Sequence, residues 1–390
     1  MKNYYYRIAK RKLGWWLKTN LVSKRIIQSH IRKRNAKNQD SLMEYIETAQ
    51  RVEVGKSDLR VGLVKDEDDL SFGLYTYWPK FERFLRNNAI PYSFLNVHSE
   101  DWIKEAKNYD LIVWRPFSDP ASMYEQYTKI SFIEKYLKIR CHPSSEELWS
   151  YEDKVRVYFL LSSFNLPIIP TFISFSEQEC LDKLRSFDYP LVSKANVGSS
   201  SFSVKKLNNK YSAKRYIQKA FSKGVDTGFP FYRQKGYVYF QKYVDDAPYD
   251  LRIIIVGRKI FGYYRMKPAH DFRASGAGLQ RDGEHLPVDA VKLAFRVKEL
   301  MPSSMLAVDF LKSASEDHHQ IIETSINIDI LSPGQLWCGG TPGYYTLDGE
   351  TLEFHPGKLW LQELIMEELI NSMKDKVASG PARFSDPVKD

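Results

Sequence analysis

The stretch that decides the fold is Met305-Leu-Ala-Val-Asp-Phe-Leu311, followed by Lys312-Ser-Ala-Ser-Glu-Asp-His-His319 and Gln320-Ile-Ile-Glu-Thr-Ser-Ile-Asn-Ile-Asp-Ile330. Two apolar runs of strand length flank a polar loop, the pattern of a β-hairpin. Symmetric pairing sets Leu311 opposite Ile321, Phe310 opposite Ile322 and Asp309 opposite Glu323. Like charges directly across a ladder repel, and a carboxylate within an apolar strand is costly unless paired or metal-bound. Two readings relieve that cost: Lys or Arg from neighbouring elements, or a divalent cation. Oxygen-only ligation suits Mg²⁺, with Mn²⁺ as the alternative. The two-residue period of a strand places Ser325 and Asn327 on the face of Glu323. His318 and His319 fall in the loop tip and read as a solvated turn, not a zinc site.

Working outward, Leu251–Val256 and Ile260–Arg265 form a second hairpin around Gly257-Arg258, with Asp250 opposite Arg265 and Arg252 opposite Tyr263. This reads either as a cross-strand ion pair or as an Arg fork for a phosphate, with Asp250 holding a ribose hydroxyl or the Arg itself. His270-Asp-Phe-Arg-Ala-Ser-Gly-Ala-Gly278 adds Arg273 in a glycine-containing loop. Further upstream, Pro190–Lys194 is a strand that enters the small-residue loop Ala195–Ser203, where backbone N–H groups can approach an anion. Neither Gx₄GK[ST] nor GxGxxG occurs, so the loop alone is equally a plain connector.

Earlier segments alternate. Leu59–Val64, Pro91–Val97 and Asp110–Trp114 read as strands, and Tyr75–Asn88, Trp102–Asn108 and Tyr124–Leu137 as helices, which predicts a small parallel sheet. Lys154–Phe164 is helical, Thr171–Ser174 a strand and Glu177–Arg185 a helix. From Tyr189 onward hairpins dominate, so the fold class is α/β followed by α+β.

The chain of 390 residues is long enough for two or three domains. Its formal charge of +9 is uneven: residues 1–39 hold 12 Lys or Arg and no acid, and removing those from the total of 57 leaves 45 basic against 48 acidic residues. In that arm Trp15, Trp16, Leu17, Leu21, Val22, Ile26, Ile27 and Ile31 recur at helical spacing. A basic amphipathic helix of this kind fits an anionic membrane surface, nucleic acid, or packing on the chain's own body or a second copy. No zinc-finger, RNA-binding or leucine-heptad pattern supports nucleic acid. No apolar run is long enough to span a bilayer, and the basic N-terminus lacks the features of a secretory signal. Cys141, Cys180 and Cys338 lack CxxC spacing and read as reduced thiols of a cytoplasmic protein.

Taken in order, these motifs resemble the ATP-grasp superfamily, nearest to the branch of glutathione synthetase and the ribosomal-protein glutamate ligases. The likeness spans about residues 59–337. The charge pattern sets off a basic arm over 1–57, and the resemblance implies a parallel-sheet domain over 58–145 and an ATP-grasp module over 146–376. A mobile lid would occupy about 171–240; the polar composition of 377–390, with Gly380, Pro381 and Pro387, reads as a disordered tail. Lys154 of Tyr151-Glu-Asp-Lys resembles the lysine that opens the module, and Lys194 the lid-strand lysine. Gly198, Ser199, Ser200 and Ser201 match the loop over the phosphates. Gln241, Lys242 and Val244 lie in a hinge strand like the one that reads adenine. Asp250 matches the family's Asp-x-Arg, and Arg265, with Arg273, its phosphate-binding arginines. Asp309 and Glu323 fall at the Mg²⁺ carboxylates. Two departures stand out: Ser325 replaces the usual Asn after the metal Glu, and Arg273-Ala-Ser275 replaces Arg-x-Asn. The resemblance implies ATP and Mg²⁺ as cofactors, and a carboxylate and an amine joined as an amide through an acyl phosphate. A cell-envelope or peptide acceptor would suit a cytoplasmic enzyme held peripherally to the membrane by its arm. The competing reading is an ATP-binding regulatory or scaffold protein with a degenerate site.

Overall fold

A computed structural model describes residues 44–65, 76–197, 203–227, 229, 231–267, 280–281, 285–328 and 337–378. Strands β1 (Val61–Leu63), β2 (Tyr92–Phe94), β3 (Leu111–Val113) and β4 (Arg140–His142) form a parallel sheet in the order β2-β1-β3-β4. β1 and β3 are apolar along their length because both faces are covered. The polar sequence Arg140-Cys-His142 carries no such signal, and β4 escapes a reading by hydrophobic pattern.

A second, antiparallel sheet uses β5 (Thr171–Ser174), β6 (Leu191–Ser193) and β7 (Lys205–Leu207). After a small ribbon of β8 (Val225–Asp226) and β9 (Arg233–Gln234), β10 (Val238–Lys242) enters between β5 and β6. Ala213, Tyr216, Ile217 and Ala220 of the helix Lys210–Phe221 cover this sheet against Leu191, Leu207, Val238 and Phe240. Asn209 starts that helix with a capping box, its side chain accepting from Tyr211 and Ser212 N–H.

The third sheet comprises β11 (Tyr249–Val256), β12 (Lys259–Met266), β13 (Gln280–Arg281), β14 (Met305–Leu311), β15 (Gln320–Ser325), β16 (Trp337–Cys338), β17 (Thr341–Asp348) and β18 (Thr351–Pro356). Its main path is β15-β14-β11-β12-β17-β16. Strand alternation splits β11 between two cores. Leu251, Ile253 and Ile255 pack with Ala290, Val291, Ala294 and Val297 of the helix Val288–Leu300, whereas Ile254 and Val256 pack with Leu361, Leu364, Ile365 and Leu369 of the helix Leu361–Ala378. With both faces covered, the polar residues left inside this sheet need internal partners.

Both hairpins form. Asp250 pairs with Arg265, Arg252 with Tyr263, and Asp309 with Glu323. Beyond Asp309 the expected symmetry breaks: Phe310 pairs with Ile321 and Leu311 with Gln320, leaving Ile322 as the extra residue of a bulge. The cause lies on the outer edge of β15. Pro167 O accepts from Ile321 N–H at 2.8 Å and Ile169 N–H donates to Ile321 O at 3.1 Å, which draws Ile321 into the core beside Phe310.

Three other expectations need correction. His319 is buried, not solvated: its Nδ1 lies 2.7 Å from Asp289 Oδ2 at the start of the helix Val288–Leu300. Residues 44–56, grouped with the arm by the sequence, pack on the folded body. Ile46, Ala49 and Val52 are buried, Trp360 Nε1 donates to Ile46 O at 2.9 Å, and Arg83 donates to Ala49 O at 2.6 Å. Val377 and Ala378 belong to the last helix, not to a disordered tail. The basic residues of 1–39 and the rest of the tail lie outside the described residues.

Candidate active site

The site forms where the second and third sheets meet. Asp153 caps the helix Lys154–Ser163 by accepting from Arg156 N–H at 2.9 Å, which sets Lys154 in the first turn. Asn196, two residues past Lys194, accepts from Val155 N–H at 2.9 Å, and Asn196 N–H donates to Gln234 Oε1 at 2.7 Å. Side-chain hydrogen bonds thereby fasten the end of β6 to the helix that carries Lys154. The Lys154 ammonium lies 3.9 Å from Glu323 Oε2.

Asp309, only 2% exposed, sits between two guanidinium groups. Arg252 Nε donates to Oδ1 and Nη2 to Oδ2, both at 2.6 Å, a bidentate clamp. Arg265 Nη2 lies 2.7 Å from Asp309 Oδ2 and 2.5 Å from Asp250 Oδ1. Burial alone would raise the Asp309 carboxyl, but Arg252 and Arg265 outweigh it and hold the group well below the usual carboxylate range. Burial pushes Asp250 up to about 6 against the pull of Arg265, with Asp309 adding to the rise. The repulsion expected between Asp309 and Glu323 is therefore relieved by cations: arginines at one, a lysine at the other. Of the two readings open in the sequence, the side-chain pairing is present.

Lys194, the residue after β6, is buried. Burial depresses its ammonium to about 8; Glu323 opposes the shift and Lys154 reinforces it, with Asp250 and Asp309 also in range. These neighbours bring Lys154, Lys194, Asp250, Asp309 and Glu323 into one cluster. With Arg252 and Arg265 it holds four cations against three anions. A triphosphate, with about four negative charges, is the kind of ligand that such a surplus favours, and it brings enough charge to recruit a divalent ion.

The donor set near Glu323 suits a hard cation in one respect and departs in another. Asn327 Oδ1 is a buried acceptor with no hydrogen-bond partner among the described residues, four residues along the chain from the half-buried Glu323. Ser325 Oγ, by contrast, donates to Asn327 O at 2.6 Å and accepts from Asn327 N–H at 3.3 Å. Ser325 thus folds the strand end and directs Asn327, and its hydroxyl is a poor ligand candidate. Among the described residues no three His, Cys, Asp or Glu side chains gather into a metal-binding group. The candidate donors are the Glu323 and Asp309 carboxylates and the Asn327 amide oxygen, and both Asp309 oxygens are engaged by Arg252 and Arg265.

In β10, Gln241 is buried with Nε2 donating to Thr171 Oγ1 at 3.2 Å, and Lys242 N–H donates to Pro170 O at 2.8 Å. Both groups secure β10 to β5, which leaves the backbone around Val244 as the part of this segment beyond the ladder. Gly198, Ser199, Ser200, Ser201 and Arg273 lie outside the described residues. Arg252 is the residue whose weight the sequence understates: the hairpin register names it, but only packing shows it clamping Asp309.

No family model matches the sequence. Among curated proteins, the chain is 22% identical over 247 residues to the alpha-aminoadipate–LysW ligase LysX of Saccharolobus solfataricus, covering 60% of this chain and 84% of that protein. It is 24% identical over 196 residues to the glutamate–LysW ligase ArgX of Sulfurisphaera tokodaii, covering 50% of this chain and 65% of that protein. Among solved structures, D-alanine–D-alanine ligase from Bacillus anthracis superposes with a TM-score of 0.55 at 15% identity, over 83% of this chain and 100% of the other. D-cycloserine synthetase DcsG gives 0.51 at 15% identity, over 80% and 99%. The chain has the ATP-grasp fold.

Proposed function

We propose that this chain is an ATP-dependent carboxylate–amine ligase. The observation that carries the reading is the cluster of Lys154, Lys194, Arg252 and Arg265 around Asp250, Asp309 and Glu323, set between two antiparallel sheets. The names of the similar proteins, several of them ligases that join an acid to an amine, support the same reaction class.

A carboxylate is too poor an electrophile to form an amide at neutral pH. Transfer of the γ-phosphoryl group of ATP to a carboxylate oxygen gives an acyl phosphate. Amine attack on its carbonyl carbon then expels phosphate, and the amine proton passes to solvent or phosphate. The protein's work is positioning and charge neutralisation. Lys154 and Lys194 balance phosphate charge. Arg265, fixed by Asp250 and Asp309, presents its guanidinium where charge develops on the transferring group. Arg273 is proposed to assist, with the Gly198–Ser201 loop excluding water and the Gln241–Val244 segment holding adenine. Glu323, Asn327 and Asp309 would hold Mg²⁺, which when bound neutralises phosphate oxygens. Ser325 acts through Asn327.

The basic segment 1–39 is proposed to tether the enzyme to an anionic membrane face in the cytoplasm, near a cell-envelope or peptide acceptor. No helix among the described residues is long and apolar enough to cross a membrane. ADP release that requires both a carboxylate and an amine tests the reaction class; tight ATP binding without turnover would favour a scaffold. Flotation with anionic vesicles that is lost on removing residues 1–39, while ATP binding persists, tests the tether.

A further inference from the structure

The N–H groups in the first turn of an α-helix have no carbonyl of their own helix to bond. In the helix Lys154–Ser163 the local sequence provides for one of them, Asp153 Oδ1 accepting from Arg156 N–H at 2.9 Å. Asn196 provides for the other two. Its O accepts from Lys154 N–H at 3.4 Å and its Oδ1 from Val155 N–H at 2.9 Å. Most of this cap therefore comes from the second sheet, from a residue 41 positions beyond Val155.

Asn196 is itself held. It is buried, and its N–H donates to Oε1 of Gln234, a buried residue whose Nε2 donates in turn to Tyr237 O at 3.3 Å. Two residues before it, Lys194 N–H donates to Tyr239 O at 3.2 Å. The segment that carries Lys194 is thus fixed to β9 and β10, and Asn196 passes that placement on to Lys154. The two ammonium groups share Glu323, which lies 3.9 Å from Lys154 Nζ and also acts on Lys194. Like charges gathered on one carboxylate repel, so backbone hydrogen bonds must set their spacing. Asn196 makes such bonds on both sides, to the helix of Lys154 and to the ribbon beside Lys194.

We infer that Asn196 is a positioning residue for phosphate binding, acting through Lys154: it sets the spacing of Lys154 and Lys194 that a two-point grip on a triphosphate requires. The inference rests on the ligase reading and adds to it a neutral residue outside the charged cluster. A helix start whose N–H groups are already bonded has none to offer a phosphate, so anion binding here falls to the lysine side chains that the cap orients.

The test is a double-mutant cycle on the full chain with Mg²⁺, titrated calorimetrically with the β,γ-imido analogue of ATP. In the wild-type background Lys154→Ala should weaken binding about tenfold or more, as a charge-assisted contact is lost. In the Asn196→Ala background the same change should weaken it about threefold or less, because the lysine is no longer placed. Asn196→Asp keeps an acceptor for the Val155 N–H, so there the Lys154→Ala effect should return to about its wild-type size. Comparison within each background cancels the charge that Asp adds, and a merely structural role for Asn196 would leave the effect equal in all three. If Asn196→Ala does not fold, Asn196→Ser replaces it, since the serine hydroxyl is one bond shorter and loses Val155. Wild type that binds the analogue but shows equal effects in every background, no recovery in Asn196→Asp, or no effect of Lys154→Ala overturns this inference and leaves the ligase reading in place. Wild type that does not bind the analogue overturns both.

Discussion

Asp309 and Glu323 face each other across one hairpin, yet replacing each by its amide should have different consequences. Asp309→Asn removes the charge shared by a bidentate Arg252 clamp at 2.6 Å and by Arg265 at 2.7 Å, all inside the sheet. Breaking a buried ion pair from one side costs roughly 3–5 kcal/mol, because the remaining charges are left uncompensated. Glu323 is about one-third exposed and lies 3.9 Å from the Lys154 ammonium, so Glu323→Gln should cost about 1 kcal/mol or less. Urea denaturation measures both. The acid limb adds a check of sign. A carboxyl depressed in the folded state contributes stability above its unfolded value near 3.8, and that contribution is lost as pH falls below it. Wild type should therefore lose stability as pH falls below about 4 by an amount that Asp309→Asn lacks. Both variants should lose nucleotide-dependent turnover by orders of magnitude. Equal stability of Asp309→Asn and wild type would refute the clamp; normal turnover in either variant would refute the metal and phosphate assignment.

Lys194 should give nucleotide binding a basic limit. Its ammonium, lowered by burial to about 8, deprotonates as pH rises, so affinity for a fluorescent ATP analogue should fall above that value; Lys194→Arg should flatten the profile. Arg83 Nη1 pairs with fully buried Glu363 at 2.6 Å, and Arg83 Nη2 donates to Ala49 O at 2.6 Å. Arg83→Ala should therefore cost roughly 3–5 kcal/mol in urea denaturation and open Arg51 to limited tryptic cleavage. Gly257, at φ +55° in the β11–β12 turn, faces Glu368 where a Cβ would collide with its carboxylate. Gly257→Ala should lower stability by about 1–2 kcal/mol in the same assay.

Much of this arrangement is legible because its signals are local. Asp309, Glu323, Asp250 and Arg265 lie in apolar strands where alternation and a short turn fix who faces whom, and those pairings appear as read. The bulge at Ile322 is not legible, since it depends on the remote Pro167–Ile169 segment bonding to the other edge of β15. His319 looks like a loop residue until the helix Val288–Leu300 delivers Asp289 to it. The docking of residues 44–56 is hidden for the same reason: Arg83 reaches Ala49 from 34 residues away and Trp360 reaches Ile46 from 314. Arg252 shows that a register can name a partner without revealing which neighbour will dominate it.

The most direct measurement is mass spectrometry of the products formed when the protein, ATP and magnesium are incubated with a metabolite extract rich in small acids and amines. A new amide equal to one acid plus one amine less water, accompanied by equal amounts of ADP and phosphate, is the predicted result. Release of AMP and pyrophosphate, or ADP with no new carbon–nitrogen bond, would contradict it.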